Sequence, residues 1–312
     1  MKAVFLDRGS FPEHIKIQLP ASIKEVVEYQ NTRVEQVAER IKNASIVLTN
    51  KAIVDAAAIH SASDLKLVQV MATGKNNVDL VACKESNITV QNVADYSTIS
   101  VPEHTFAMLL ALRRNLVSYL DAVKAGEWAS SEYFCFLDYP IKDLSGSTMA
   151  IIGSGTLGKQ VAAIALAFGM HVIFAERKGE SNIRAGYIQF EEALKVADVI
   201  SINCPLTLDT QDLISDAEFL LMKPSCLLLN LSRGGIVDEH ALVRAFQSNS
   251  IAGAAFDVST QEPMPSDHPL QALTKQPNFL LTPHIAWASD EAMQTLVNIA
   301  MEKIASFIDT PE

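Results

Sequence analysis

Residues 149–168 read MAIIGSGTLGKQVAAIALAF, and no other stretch constrains the fold as strongly. A short apolar run ends at Gly153, Gly155 and Gly158, which have GxGxxG spacing. Behind them Leu157, Val161, Ile164, Ala165 and Phe168 recur at the spacing of one helix face. Strand, tight glycine turn and helix, in that order, hold a diphosphate against a helix N-terminus. The first glycine makes the turn, the second lets the phosphates approach the backbone, and the third lets helix and strand pack closely. Three glycines in six residues alone mark only a loop; the strand before and the helix after supply the context a dinucleotide site requires. The next apolar run, 172–174, leads to Glu176, placed where an acidic side chain binds a ribose 2′-hydroxyl.

A nucleotide unit that starts near the middle of 312 residues leaves room for a second domain. Before it, strand-like runs at 3–6, 46–48, 67–71 and 88–90 alternate with helical patterns at 32–42 and 53–60. That alternation predicts a small parallel α/β unit. ATGKNNVD, residues 72–79, follows the third of these strands, where α/β sheets bind ligands. Gly74 lets successive N–H groups converge on one spot, a nest suited to a carboxylate, although the same sequence also suits an ordinary strand-to-helix turn.

Residues 97–116, STISVPEHTFAMLLALRRNL, predict a strongly apolar helix that carries the chain from the first domain to the second. Pro102 falls in its first turn, and Ser100 with Glu103 forms a capping-box pattern. His104 lies within this helix and reads as a packing or hydrogen-bonding residue. The aromatic stretch 128–144 has no clean period, and is read as a contact with another subunit in preference to a packed surface loop. Four later apolar runs end in CPLT, NLSRGG, DVSTQEP and TPHIAW. Polar or turn-forming loops after every strand describe a doubly wound sheet whose functional loops share one edge. Residues 289–307 form one amphipathic pattern, a helix expected to pack on the first domain.

The net charge of −11, from 36 acidic and 25 basic residues, argues against nucleic acid or an anionic membrane as partner. An anionic substrate must then be held by particular Arg or Lys side chains and backbone N–H groups. No apolar segment approaches the roughly 20 residues that span a bilayer, and MKAVFLDRGS reads as a first strand, not an export signal. Cys83, Cys135, Cys204 and Cys226 lack CxxC spacing, so neither a metal site nor a disulfide framework is expected, and a reducing cytoplasm is.

Arg233, Glu262 and His284 fall in three of the post-strand loops. Hydride transfer to a keto acid needs a group that holds the carboxylate and polarises the carbonyl, and a proton donor at the new hydroxyl. An arginine presents a planar fork for the first task. A histidine titrates in the range that suits the second, and a glutamate bonded to its ring orients it and favours the protonated form. Singly, each also reads as a structural pair or a loop residue; their shared position after strands of one sheet groups them.

With these pieces in view, the chain resembles the D-2-hydroxyacid dehydrogenases over nearly its whole length. The matching segments are ATGKNNVD, SVPEHTFAMLLAL, IIGSGTLGKQVA, ADVISINCPLT, MKPSCLLLNLSRGGIVDE, GAAFDVSTQEP and LTPHIAWAS. FLDRGSFP, FCFLDYP, FAERKG and HIAWAS are similar to the glycerate dehydrogenase (hydroxypyruvate reductase) branch. The resemblance implies a Rossmann-type nucleotide domain, residues 100–286, inserted into a smaller flavodoxin-like substrate domain formed by residues 1–99 and 287–312. Closure of the two about 97–101 and 286–289 would exclude water.

It also implies roles. The arginine of the N-x-[SA]-R-G motif, the glutamate of D-V-x(3)-E-P and the histidine of P-H fall on Arg233, Glu262 and His284. Thr73, Gly74 and Lys75 would hold the substrate with Arg233 and His284. Gly153, Gly155, Thr156, Leu157 and Gly158 lie at the diphosphate, with Glu176 and Arg177 at the ribose. Cys204, Pro205 and Thr210 border the adenosine. Leu231, Ser232 and Arg233, then Asp257, His284 and Ala286, complete the cofactor side, with Asp257 at the nicotinamide carboxamide. Leu231 stands where a small polar residue is commoner, Leu137 replaces a bulkier aromatic, and Lys75 is unusual in its loop, so fine substrate preference is affected while the catalytic set is intact.

The implied activity is NAD(H)-dependent reduction of hydroxypyruvate to D-glycerate by a homodimer. Glyoxylate or another short keto acid is the rival substrate, and a nucleotide-sensing corepressor on the same fold is the rival class. Glu176 disfavours a 2′-phosphate by charge, whereas Arg177 and Lys178 suit one; NAD is expected, with NADP the alternative.

Overall fold

The structure, a computed structural model, describes residues 1–310 of the chain. Two units emerge: Met1–Ser97 together with the chain end from Ala288 onward, and Thr98–Trp287. The last two residues of the expected 287–312 segment lie outside the described residues.

In the first unit five parallel strands, β1 (Lys2–Phe5), β2 (Glu25–Glu28), β3 (Ile46–Thr49), β4 (Leu67–Val70) and β5 (Thr89–Gln91), pair in the order β2-β1-β3-β4-β5. This is the flavodoxin-like order. Strands β3 and β4 are buried at every position, which is why they read as continuous apolar runs. Strand β2, sequence EVVE, is an exposed edge strand whose outer glutamates hide it from hydrophobic patterning. Helix Leu80–Glu85 was likewise not evident in the sequence; the Asp79 carboxylate caps it by accepting from Val81 N and Ala82 N.

The strand order reverses between β1 and β3, the place where doubly wound sheets usually take a ligand. Here Asp7, which follows β1 and is 5% exposed, occupies that place itself. Its carboxylate accepts from Asn50 N at 2.8 Å, Lys51 N at 2.6 Å and Ala52 N at 2.8 Å. The chain's own anion thus fills the N–H cluster after β3. Helix Asp290–Asp309 belongs to this unit and buries Met293, Leu296, Val297, Ala300 and Ile304. Ser289 Oγ caps it, and Lys303 Nζ ties it to Asn92 O at 2.7 Å.

The second unit has seven parallel strands: β6 (Thr148–Ile152), β7 (His171–Ala175), β8 (Tyr187–Ile188), β9 (Val199–Ile202), β10 (Leu227–Asn230), β11 (Gly253–Phe256) and β12 (Phe279–Leu281). Their order is β12-β11-β10-β9-β6-β7-β8. From β6 the chain winds outward through β7 to β8, then returns to the other side of β6 and winds out to β12, the Rossmann arrangement. One layer of core lies between this sheet and the helices Ser100–Arg113 and Thr156–Ala167, where Phe106, Leu109, Val161 and Ala165 meet Met149 and Ile151. On the other face Phe190, Leu194, Leu242 and Phe256 lie in a second cluster.

The expected capping box at Ser100 does not form. Ser100 is already inside the helix, Ile99 precedes it, and no side chain caps the first turn. The nearly buried Ser100 hydroxyl instead donates to the Ala286 carbonyl, because a buried hydroxyl takes the acceptor beside it. His104 Nε2 lies 3.0 Å from Thr282 Oγ1, so it serves hydrogen bonding within this unit. The region 128–144 has no regular element beyond turns and bends.

Candidate active site

Strand register fixes where the loops begin. Ile152 pairs with Ala175 and with Ile202, so the glycine loop, Glu176 and the 203–210 loop leave one edge from three adjacent strands. On the far side Asn230 pairs with Phe256, and Phe256 with Leu281. The loops carrying Arg233, Glu262 and His284 therefore leave the same edge side by side.

Two glycines in the first loop are required by contact. A Cβ on Gly158 would stand 2.0 Å from the Gly153 carbonyl oxygen, and one on Gly153, at φ +97, would stand 2.6 Å from Asn203 O. Gly155 differs: nothing lies within 4 Å of its Cβ position. It caps helix Thr156–Ala167, whose first turn holds no acidic side chain to compete for its free N–H groups. Tight backbone packing on two sides and open space at the helix N-terminus are what a diphosphate needs, and these residues fit a dinucleotide.

Beside this loop Glu176 is nearly buried and its four lone-pair positions are taken. Oε1 accepts from Arg177 N at 2.9 Å and Arg184 Nη2 at 2.7 Å; Oε2 accepts from Arg184 Nε at 2.6 Å and Arg184 N at 3.3 Å. The Arg184 side chain holds its carboxyl far below the usual range, at about 2. In the 203–210 loop Thr210 Oγ1 donates to Pro205 O at 2.7 Å and accepts from Thr207 N at 2.7 Å, closing the turn on itself. Cys204 is half-buried, and burial pushes its thiol up to about 11.

Arg233 follows β10. Its Nη1 donates to Ser232 O at 2.7 Å, and Asn230 Nδ2 holds the Arg233 carbonyl at 2.9 Å. Ser232 Oγ donates to Ile202 O, while the Leu231 side chain is buried in the core. A Cβ on Gly234 would fall 2.1 Å from the Ser259 backbone, so the arginine loop and the glutamate loop touch main chain to main chain. Glu262 Oε1 accepts from Ser259 N at 3.2 Å, and its Oε2 lies 2.6 Å from His284 Nδ1.

His284 has left-handed backbone at φ +55, uncommon for a residue with a side chain. Asp257, 1% exposed, secures that loop: Oδ1 accepts from Thr282 Oγ1 at 2.6 Å and Ile285 N at 2.9 Å, and Oδ2 from Ala286 N at 2.8 Å. The structure thus brings Glu262 and His284 into direct contact, with Arg233 on the adjoining loop.

Thr73, Gly74 and Lys75 belong to the other unit, after β4. There Thr73 Oγ1 donates to Val93 O at 3.0 Å, and Asn92 Nδ2 donates to Thr73 O at 2.7 Å.

Sequence reasoning missed three residues around this edge. Arg184 lies eight positions past Glu176 in a segment without motif or period. Glu239 and His268, both 5–7% exposed, form a second buried pair at 3.0 Å, with Thr260 N and Oγ1 donating to Glu239. That pair fixes the loop that carries Glu262, and its members come from two unrelated segments, so no local signal announces it.

Comparison with known proteins identifies the family and the fold. The family model described as D-isomer specific 2-hydroxyacid dehydrogenase, NAD binding domain, matches residues 106–286. A Haemophilus influenzae protein assigned by name to the 2-hydroxyacid dehydrogenases is 44% identical over 99% of this chain and 98% of its own. The glycerate dehydrogenase of Methylorubrum extorquens is 41% identical over 98% of this chain and 96% of its own. The solved structure of D-lactate dehydrogenase from Aquifex aeolicus, complexed with NAD and lactic acid, superposes with a TM-score of 0.83 at 27% identity, covering 98% of this chain and 95% of that one. The cofactor of the glycine-loop unit is NAD. The chain belongs to the D-isomer specific 2-hydroxyacid dehydrogenase family.

Proposed function

We propose that the protein reduces hydroxypyruvate to D-glycerate, and oxidises D-glycerate in the reverse direction. The observation that carries this reading is the 2.6 Å contact between His284 Nδ1 and Glu262 Oε2 on the loop beside Arg233. With Nδ1 held by the glutamate, Nε2 is the nitrogen that gives a proton to the substrate oxygen during reduction and takes it back during oxidation. The Arg233 fork, with Nη1 tied to Ser232 O, grips the carboxylate and polarises the neighbouring carbonyl. Bound NADH supplies the hydride. The loop Thr73, Gly74 and Lys75 serves as the second holder of the carboxylate, a role that rests on its motif. Asp257, besides facing the nicotinamide carboxamide, keeps the histidine loop in place.

Hydroxypyruvate is preferred over glyoxylate because of the likeness to a glycerate dehydrogenase across nearly the whole chain. A pocket separates acids that differ by one small group by only about 1–3 kcal/mol, so glyoxylate is expected as a weaker substrate. We place the reaction in the cytoplasm, in keeping with four unpaired cysteines. A homodimer is the proposed assembly. Tyr133, Phe134 and Leu137 are 76, 90 and 74% exposed, and apolar side chains so displayed suit burial against a second copy.

The deciding experiment follows NADH oxidation with hydroxypyruvate, glyoxylate, pyruvate and phenylpyruvate. The highest kcat/KM with hydroxypyruvate supports the proposal. Preference for pyruvate removes the glycerate assignment, and no turnover on any acid favours a nucleotide-sensing role. A monomeric mass in solution removes the dimer.

A further inference from the structure

A second carboxylate and imidazole meet behind the first. Glu239 stands in the first turn of helix Glu239–Gln247, which follows the Arg233 loop. His268 precedes and caps the short turn Pro269–Ala272, downstream of Glu262. Both are buried, and Thr260 lies between them. Glu239 Oε1 accepts from Thr260 N at 2.8 Å, and Oε2 from Thr260 Oγ1 at 2.6 Å. His268 Nε2 lies 3.0 Å from Glu239 Oε2 and 2.9 Å from Thr260 Oγ1.

The other ring nitrogen settles which tautomer is present. Leu270 N donates to His268 Nδ1 at 3.3 Å, so the ring proton is on Nε2 and points to Glu239 and Thr260. The buried Glu239 charge is thus met by neutral donors and by the N-terminus of its own helix. Swinging it aside would leave buried donors unpaired, so Thr260 is held in one place.

Backbone contact secures the neighbouring residue. A Cβ on Gly234 would stand 2.1 Å from Ser259 C and O, and 2.5 Å from Thr260 N. Segment 234–239 therefore grips residues 259–260 at both of its ends, by contact at Gly234 and by hydrogen bonds at Glu239. Ser259 N in turn donates to Glu262 Oε1 at 3.2 Å, while Oε2 of the same carboxylate faces His284.

We propose that Glu239 and His268 are positioning residues for the reaction: they hold the 259–260 backbone so that Ser259 N aims Glu262 at His284 Nδ1. They act through Glu262, not on the substrate. The proposal rests on the part given to Glu262 and His284 in proton transfer.

The test measures kcat and KM with saturating NADH and whichever keto acid is turned over fastest. Glu239→Gln keeps the shape but offers one acceptor oxygen in place of two. His268→Asn keeps an acceptor for Leu270 N but is too short to reach Glu239, and His268→Gln restores that reach. Glu239→Gln and His268→Asn should each lower kcat by about 10-fold, since displacing a reacting group by about 1 Å can cost about 100-fold. KM should stay within about 2-fold of wild type, because ground-state binding is untouched. His268→Gln should recover most of the loss. In a Glu262→Ala background, with no carboxylate left to aim, Glu239→Gln should change kcat by less than about 2-fold. If Glu239→Gln lacks a cooperative thermal transition, Thr260→Val, which removes only the hydroxyl shared by the pair, replaces it with the same expectation. Wild-type kcat in folded Glu239→Gln and His268→Asn, or an undiminished loss in the Glu262→Ala background, overturns the proposal and leaves the proton transfer as assigned. Wild-type kcat in Glu262→Ala alone, or no turnover on any acid, removes that assignment and the proposal with it.

Discussion

His284 and Glu262 meet through Nδ1 and Oε2 at 2.6 Å, although 22 residues separate them and each comes from the loop after a different strand. The contact fixes which imidazole nitrogen is left for the substrate. Replacing His284 by Ala removes the proton donor and should lower kcat by about 10²–10⁴-fold. Binding of NADH, read by fluorescence titration, should change little. Glu262→Gln should show a smaller loss, because the amide can still bond to the ring and orient it, but more weakly than a carboxylate does. A His284→Ala enzyme with wild-type turnover would exclude it as the donor.

Gly158 and Gly155 stand three residues apart and should fail in different ways. Alanine at 158 drives its Cβ to 2.0 Å from the Gly153 carbonyl oxygen, a backbone atom that cannot yield as the end of a flexible side chain would. The second unit should lose about 3 kcal/mol, the upper end of overpacking costs, visible as a lower Tm. Alanine at 155 meets open space and an ordinary φ of −68, so its Tm should match the wild type. Its methyl projects into the open space at the helix N-terminus that suits the diphosphate, so NADH should bind at least about 10-fold more weakly, or about 1.4 kcal/mol. Equal NADH affinity in Gly155→Ala and the wild type would move the diphosphate elsewhere.

Legibility in the sequence followed how local the cause was. Strands β3, β4, β9, β10 and β11 are buried at every position, so continuous apolar runs revealed them. Strand β2 is an edge, and its glutamates broke the pattern. Glycine spacing located the cofactor loop because Gly158 answers a contact five residues back in the chain, Gly153 one on the loop after the neighbouring strand, and Gly155 leaves the helix N-terminus between them open. The Ser100 hydroxyl went instead to Ala286, 186 positions away, and no window of sequence contains that acceptor. Arg184 escaped for a related reason: its partner is buried, and a surface arginine in a turn has no periodic signature. Placement of the Glu262–His284 pair came from motif; the Glu239–His268 pair behind it required the fold.

Asp7 carries the next expectation. Its carboxylate is the acceptor for three backbone N–H groups at 50–52, two of them on buried residues. Removing it strands those donors away from water, at about 1–3 kcal/mol for each fully buried one. Asp7→Ala should therefore destabilise the first unit by about 3 kcal/mol in denaturant unfolding. Asp7→Asn retains one acceptor oxygen and should lie between the two. Wild-type stability in Asp7→Ala would mean that the 50–52 amides find water, and that the reversal point of this sheet is open to a ligand after all.

Glu176 predicts a pH dependence with a definite sign. Its folded carboxyl is held at about 2, against an ordinary value near 4.5, chiefly by the side-chain bond from Arg184. A carboxyl lowered on folding stabilises the native state fully above its ordinary value, and that stabilisation fades as pH falls through the folded one. Glu176→Gln should accordingly be less stable than the wild type at pH 7. The difference should shrink as pH drops below the ordinary value and close near pH 2, where the protonated glutamic acid and the amide are alike in charge. Thermal unfolding of both proteins across that range measures it. A stability gap that stays constant with pH would assign the cost of the substitution to packing, and would leave the charge pairing with Arg184 without a share in it.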